Sequence, residues 1–114
     1  MIDNWRQLAK AKVGDGISIS IWQTIESGKK PFSVELVALN PHALTMGLPW
    51  STPCDDLVTA SKNYVGMINY LANKDPSNVK DWYVFDALAN QQIISAIESR
   101  EIESLKNRLT REAI

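Results

Sequence analysis

The C-terminal third of the chain, residues 75–114, constrains the fold most, because it contains no glycine and no proline after Pro76. Asp75 followed by Pro76 is a helix start signal, with Ser77 as an alternative cap. Apolar residues then recur every three or four positions, which predicts a helix with one buried face. These residues are Val79, Trp82, Phe85, Ala89, Ile93, Ala96 and Ile97.

The apolar pattern changes after Ile97. The next apolar positions on the stripe are Ile102, Leu105 and Leu109. The step of five residues from Ile97 to Ile102 turns the apolar face by about 140°. We therefore expect the helix to bend, break or change its packing partner near Ser99.

The length of this segment predicts a tail that extends beyond the domain. An unbroken helix over residues 75–113 would measure about 58 Å, whereas a domain of this size is about 34 Å across. A narrow apolar stripe among charged residues is typical of a helix that packs on a partner helix. We predict a domain over residues 1–97 and an amphipathic tail over residues 98–114 that serves in interaction or homo-oligomerisation. The alternative is a short separate helix that folds back on its own domain.

Two stretches in the first half of the chain predict a β-hairpin. Residues 17–22 alternate between isoleucine and Ser or Trp, and Phe32, Val34, Leu36 and Ala38 alternate with Ser33 and Glu35. This period of two is typical of half-buried strands. Residues 26–31 are rich in turn-forming types. The apolar face of such a hairpin should lie against helices, or its edge should pair with another chain.

Two further helices complete the predicted fold. Asp3 is expected to cap a short helix over residues 4–12. Thr52 and Pro53 are expected to start a longer helix that runs to about residue 73 and has one buried stripe. The residues of this stripe are Leu57, Ser61, Tyr64, Ile68 and Leu71, with Val58, Val65 and Ala72 beside them. The short connection to Pro76 makes this helix an antiparallel neighbour of the C-terminal one. The predicted class is α+β, with a short N-terminal helix, a β-hairpin, and an antiparallel helix pair that includes a long amphipathic C-terminal helix.

Composition restricts the classes of protein to which the chain can belong. With 114 residues, 45% of them apolar, the chain fits one globular domain. A single cysteine excludes an internal disulfide framework and favours a reducing, cytoplasmic location. No apolar run is long enough for a membrane span, and the N-terminus lacks the apolar run of a signal peptide. The net charge of −1 produces no overall field that would attract nucleic acid or an anionic membrane.

No residue pattern predicts catalysis, a cofactor or a metal site. Cys54 and His42 are the only cysteine and histidine, and such a pair can form a thiolate nucleophile. However, Asp55 and Asp56 beside Cys54 oppose a thiolate, and one Cys with one His is too few for zinc. Among the carboxylates, Asp86 lies beside the predicted buried stripe and is the one to inspect. We predict a non-enzyme.

Tryptophans provide candidate contact residues. The spacing places Trp82 in the core. Trp22 lies opposite the isoleucine face of its strand, and Trp50 lies in a predicted loop, so we expect at least one of them to be exposed or to lie in an interface. The alternative is that both close the core.

Basic residues provide a second candidate surface. Arg6, Lys10, Lys29 and Lys30 would form a patch if the hairpin tip lay near the N-terminal helix, and such a patch could bind phosphates. Because the chain is slightly acidic overall, solvated side chains are the favoured interpretation and nucleic acid is an unfavoured partner.

The leading functional hypothesis is a non-catalytic cytosolic protein that binds another protein, as an adaptor, small chaperone or inhibitor, and that forms a homo-oligomer. A hypothesis of another class is a binding protein for a small aromatic or nucleotide-like ligand, held between protomers near Trp22 or Trp50. The third is a nucleic-acid-binding accessory protein that uses the basic residues.

Overall fold

The computed structural model describes residues 4–13, 16–38, 48–72 and 79–97. Within these residues it contains one antiparallel sheet of five strands, in the order β4-β3-β2-β1-β5, and two helices. The predicted α+β class is therefore confirmed. In chain order the elements are β1 (Trp5–Val13), β2 (Ile17–Thr24), β3 (Phe32–Ala38), β4 (Ser51–Cys54), α1 (Leu57–Leu71), β5 (Val79–Val84) and α2 (Ala87–Ala96).

The predicted hairpin is formed by β2 and β3. The two strands pair from Ile17 opposite Ala38 to Gln23 opposite Phe32. In the connecting loop Gly28 has a φ of +83°, which glycine adopts without a steric penalty. The apolar face of the hairpin lies against α1, which is the first of the two expected arrangements. Its edges do not wait for another chain, because β2 also pairs with β1 and β3 also pairs with β4.

The predicted N-terminal helix is wrong, because these residues form β1. From Ala9 to Val13 the side chains alternate strictly, with Ala9, Ala11 and Val13 buried. Pairing with β2 on one side and with β5 on the other satisfies the backbone of β1 and overrides the helix propensity of alanine and lysine. The register shifts between Gln7 and Ala9, which is a β-bulge.

The long C-terminal helix is also wrong within the described residues, because the segment divides into β5 and α2. Asp86 separates them as the N-cap of α2: its Oδ1 accepts hydrogen bonds from the backbone N–H of Leu88 at 3.0 Å and of Ala89 at 3.1 Å. The sequence predicted one helix because β5 and α2 bury residues in the same core that are only a few positions apart in the chain, as the residues on one face of a single helix are. The predicted start at Asp75 or Ser77, the predicted break near Ser99 and the tail over 98–114 lie outside the described residues.

Helix α1 begins later than predicted, because Thr52 and Pro53 belong to the edge strand β4. An edge position tolerates proline, which has no N–H to donate. Asp56 is the actual N-cap, and its carboxylate accepts a hydrogen bond from the backbone N–H of Thr59 at 2.7 Å. This bond holds the pKa of Asp56 below its usual value. The predicted buried face of α1 is largely confirmed by its buried residues Ala60, Ser61, Tyr64, Val65, Met67, Ile68 and Leu71.

Helix α1 contacts β1 to β4, α2 contacts β1 and β5, and the two helices pack on each other, so together they cover one face of the sheet. Trp82 of β5 is 1% exposed, as the sequence predicts, and packs edge to face on Tyr64 of α1, with ring centroids 6.1 Å apart. Helix α2 contributes Ala89 and Ile93 to the same core. The core therefore lies between the helices and the isoleucine-rich face of β2.

The Tyr64 hydroxyl is buried and has no hydrogen-bond partner in the described part of the chain, and burial raises its pKa above the usual value. Because Tyr64→Phe removes a polar group that is already unpaired, we expect the free energy of unfolding to stay unchanged or to rise by up to about 1 kcal/mol. Urea denaturation measures this change, with Tyr70→Phe, at a 54% exposed residue, as the control. A clear loss of stability in Tyr64→Phe alone would show that the hydroxyl is hydrogen-bonded.

Candidate functional site

The second face of the sheet is the candidate site. Side chains alternate along a strand, so the residues between the buried ones point away from α1 and α2. No other helix or strand of the described residues packs on this side. We call this side the open face, and its central strand is β2.

Strand pairing arranges the open face in rows that cross the sheet. The middle row runs Ser51, Glu35, Ser20, Lys10, Tyr83 from β4 to β5. One neighbouring row contains Pro53, Ser33, Trp22 and Gln7, and the other contains Val37, Ser18, Lys12 and Asp81.

Large side chains lie on the β1 and β5 half of the open face. Tyr83 and Phe85 stack, with ring centroids 6.4 Å apart and an interplanar angle of 4°. Phe85 is 41% exposed. Trp5 of β1 and Trp22 of the central strand are half-buried. Four aromatic side chains therefore lie on or beside one sheet surface that the described helices leave uncovered.

Small side chains lie on the β3 and β4 half. The hydroxyls of Ser33 and Ser51 both donate to Oε2 of Glu35, at 2.5 and 2.6 Å. On the other side of β2, Gln7 Nε2 donates to the Ser20 hydroxyl at 2.8 Å. Ser20 and Ser33 are only 7% and 5% exposed. The polar groups of this surface are thus largely hydrogen-bonded to one another.

The charges of the open face balance. Lys10 and Glu35 flank Ser20 in the middle row, about 10 Å apart from strand to strand. Lys12 lies opposite Asp81 in the pairing of β1 with β5. No ion pair within 4.0 Å involves any of these four side chains in the part of the chain that the structure describes. The surface is polar and aromatic without an excess of either sign.

The predicted basic residues are dispersed, and three of them have carboxylate partners. Arg6 Nη2 lies 3.2 Å from Asp86 Oδ2, while Gln23 accepts a second hydrogen bond from it at 2.8 Å. At the hairpin tip, Lys29 lies 3.6 Å from Glu26, and Lys30 lies 3.6 Å from Asp55. Lys10 is the member of this set on the open face. The structure does not bring the four together as one unpaired patch.

Cys54 lies inside the protein. It is 2% exposed, its thiol donates to the Thr52 carbonyl at 3.3 Å, and Asn63 Nδ2 lies 3.8 Å from Sγ. Burial raises the pKa of the Cys54 thiol, which disfavours a thiolate nucleophile. His42 lies outside the described residues. Asp86, the carboxylate to inspect, is a helix cap paired with Arg6.

We expect a disulfide reagent such as DTNB to react with Cys54 at least about 100-fold more slowly in the folded chain than in urea, because reaction requires opening of the core. The rate at which DTNB reacts with glutathione, measured with and without urea, corrects for the effect of urea on the reagent. Folding holds the thiol protonated, so raising the pH above the usual thiol pKa should favour the unfolded chain, which ionises first. Equal labelling rates in both states would contradict the buried position.

The other predicted contact residues are placed as follows. Trp50 is 51% exposed and directly precedes β4, and its carbonyl accepts a hydrogen bond from the Leu36 N–H at 2.9 Å. Ile102, Leu105 and Leu109 lie outside the described residues, so the interaction tail stays a prediction. A groove of about 380 Å³ lies between the β4 region and α1, lined by Leu48, Pro49, Thr52, Lys62, Asn63, Gly66, Met67 and Tyr70.

Sequence reasoning missed most of the open face. It placed Trp5, Tyr83 and Phe85 on helices, and it assigned no role to Glu35. The signal was present as a period of two: Ala9 to Val13 alternates small or apolar residues with lysine, and Val79 to Val84 contains β-branched and aromatic residues typical of strands.

Comparison of this chain with protein-family models, with curated proteins and with solved structures finds no match. Within the described residues, no group of three or more His, Cys, Asp or Glu side chains could hold a metal ion. Neither described helix has the length and apolar character needed to cross a membrane.

Proposed function

We propose that this protein acts by binding protein, without catalysis, and that the open face is its binding surface. The observation that carries the proposal is the set of aromatic side chains on a sheet face that the described helices leave uncovered. Trp22 lies at the centre, and Trp5, Tyr83 and Phe85 lie to one side. Buried aromatic anchors of this kind supply most of the binding energy in protein interfaces.

The polar groups of the open face favour contact with protein. Burying an unpaired hydroxyl or carboxylate is costly, whereas groups that are already hydrogen-bonded lose less when water leaves. Ser33 and Ser51 already satisfy one oxygen of Glu35, and Gln7 satisfies Ser20. A partner that covers this surface therefore meets hydroxyl groups that are already hydrogen-bonded. It must in addition match the charges of Lys10, Lys12, Glu35 and Asp81.

The size of the open face suits a small interface. Strands about 4.8 Å apart with about 3.4 Å per residue give roughly 500 Å² for this sheet, or roughly 1,000 Å² buried over both partners. That value is at the lower limit of specific protein interfaces. The predicted tail over residues 98–114 would add interface area if it contacts the partner. A cytosolic location is part of the same proposal.

The balance of charge favours protein over nucleic acid as the partner. Lys10 and Lys12 are matched by Glu35 and Asp81 on the same face, so phosphate groups gain little from approaching it. A small aromatic or nucleotide-like ligand is the second candidate, because the stacked Tyr83 and Phe85 rings offer a flat surface. Quenching of tryptophan fluorescence by such ligands, lost in Trp22→Phe, would support it.

Site-specific photo-cross-linking tests the proposed surface. A photoreactive amino acid at Ser18, on the open face, should give covalent protein adducts in native cell extract. The same group at Gln91, an exposed position on α2, is the matched control and should give few. Adducts at Ser18 should disappear when Trp22→Ser is added. Equal adducts at both positions, or none at Ser18, would contradict the proposal.

A further inference from the structure

We propose that the partner of the open face is a second copy of this chain, packed face to face about a twofold axis parallel to β2. This inference rests on the proposed function for the choice of surface, and adds the identity and arrangement of the partner. Stacked sheets keep their strands within about 30° of one another, so an axis along the central strand is a permitted arrangement. Two properties of the open face select it.

The first property is charge. Lys10 on β1 and Glu35 on β3 lie in the same row, one on each side of β2. A twofold rotation about β2 places β1 of each copy over β3 of the other, so each Lys10 meets the partner's Glu35. A twofold axis that lies between the two sheets but runs across the strands would instead place β1 over β1 of the other copy. When that axis passes through the middle row, Lys10 of one copy faces Lys10 of the other. Of these two axes, the one along β2 therefore brings Lys10 opposite Glu35.

The second property is side-chain size. The large side chains Trp5, Tyr83 and Phe85 lie on or beside β1 and β5, while Ser33 and Ser51 lie on β3 and β4. The same rotation sets the large half of each copy on the small half of the other, which fills a sheet separation of about 10 Å evenly. Trp22, on the central strand, then lies beside the partner's Trp22, where two aromatic rings can stack.

The Glu35 carboxylate is prepared for such a contact. Ser33 and Ser51 donate to one of its oxygens, which leaves the other for an ammonium group. A buried ion pair is tolerated when hydrogen bonds satisfy its remaining oxygens. In two symmetric copies this contact occurs twice, so reversing the charge of one residue type disturbs two contacts at once.

Charge reversal in the full chain tests the arrangement by sedimentation velocity over a range of protein concentrations. Wild type should dimerise, and Lys10→Glu or Glu35→Lys alone should raise the dimer dissociation constant by at least about tenfold. An equimolar mixture of the two variants should restore dimers. In a mixed dimer the glutamate at position 10 of one chain faces the lysine at position 35 of the other, and the second contact is the native pair of Lys10 with Glu35. Lys29→Glu, at the hairpin tip, is the control and should dimerise as wild type does. Circular dichroism of each variant checks that it is folded.

Each contrary outcome identifies what has failed. A dimer that both single variants leave intact overturns the arrangement, while the cross-links from Ser18 still decide the proposed function. A dimer lost only when Ile102, Leu105 and Leu109 are changed to serine overturns the inference and assigns assembly to the tail. A wild-type monomer at the highest concentration reached overturns the inference, and the protein found cross-linked to Ser18 then becomes the partner. If Lys10→Glu bound wild type more tightly than either chain binds itself, the twofold axis would run across the strands, because position 10 of one copy would then face position 10 of the other. That result would overturn the arrangement.

Discussion

Replacing Trp82 by alanine should lower the free energy of unfolding by about 3–5 kcal/mol. Trp82 is 1% exposed, lies opposite Ala11 in the pairing of β5 with β1, and contacts the Tyr64 ring. Small neighbours such as Ala11 cannot fill the cavity. Domains of this size are stable by about 5–15 kcal/mol in total, so the variant should lose a substantial fraction of its stability.

Urea denaturation followed by far-ultraviolet circular dichroism is the suitable measurement, because tryptophan fluorescence itself changes in this variant. Trp50→Ala is the matched control: it removes the same side chain from a position that is 51% exposed. Its free energy of unfolding should stay within about 0.5 kcal/mol of wild type. Similar losses in the two variants would contradict the assignment of Trp82 to the core.

The second large effect is expected from Ile93→Ala, at about 2–5 kcal/mol. Ala89 and Ile93 are the buried residues of α2, and Ile93 is the larger of them. Removing its side chain takes away the largest fully buried side chain of this helix from the core. We expect the amide hydrogens of α2 to exchange faster than those of β2 in the variant, because the helix detaches before the sheet opens.

Ile94→Ala is the control for this prediction. It removes the same number of atoms from the neighbouring position, which is half-buried, and should therefore cost less than Ile93→Ala. If the two substitutions cost the same, Ile93 is not the residue that holds α2 on the core. Exchange rates that rise equally in α2 and β2 would show that the helix and the sheet unfold together.

The elements predicted correctly are those whose own residues determine them. Apolar residues recur at every second position in most of β2 and β3, and turn-forming residues lie between the two strands. A short stretch of chain therefore contains enough information for a hairpin. The buried face of α1 follows from the spacing of Ser61, Tyr64, Ile68 and Leu71. In both cases the local pattern and the final packing agree.

The elements predicted wrongly are those that depend on distant partners. β1 contains alanine and lysine, which favour helix in isolation, and it becomes a strand because β2 and β5 pair on either side. β5 lies next to β1 although more than sixty residues separate them in the chain. A pairing of this kind leaves no mark on the local sequence beyond a weak period of two.

The candidate site shows the same division. The position of Trp22 opposite the isoleucine face was readable from the sequence, because alternation alone decides which side chains share a strand face. Its neighbours on the open face were not readable, because Lys10, Glu35 and Tyr83 come from three strands that only the sheet brings into one row. Local alternation thus determined the hairpin and the two sides of β2. Pairing between distant strands decided which residues surround Trp22, because a surface built from separate strands exists only once their register is set.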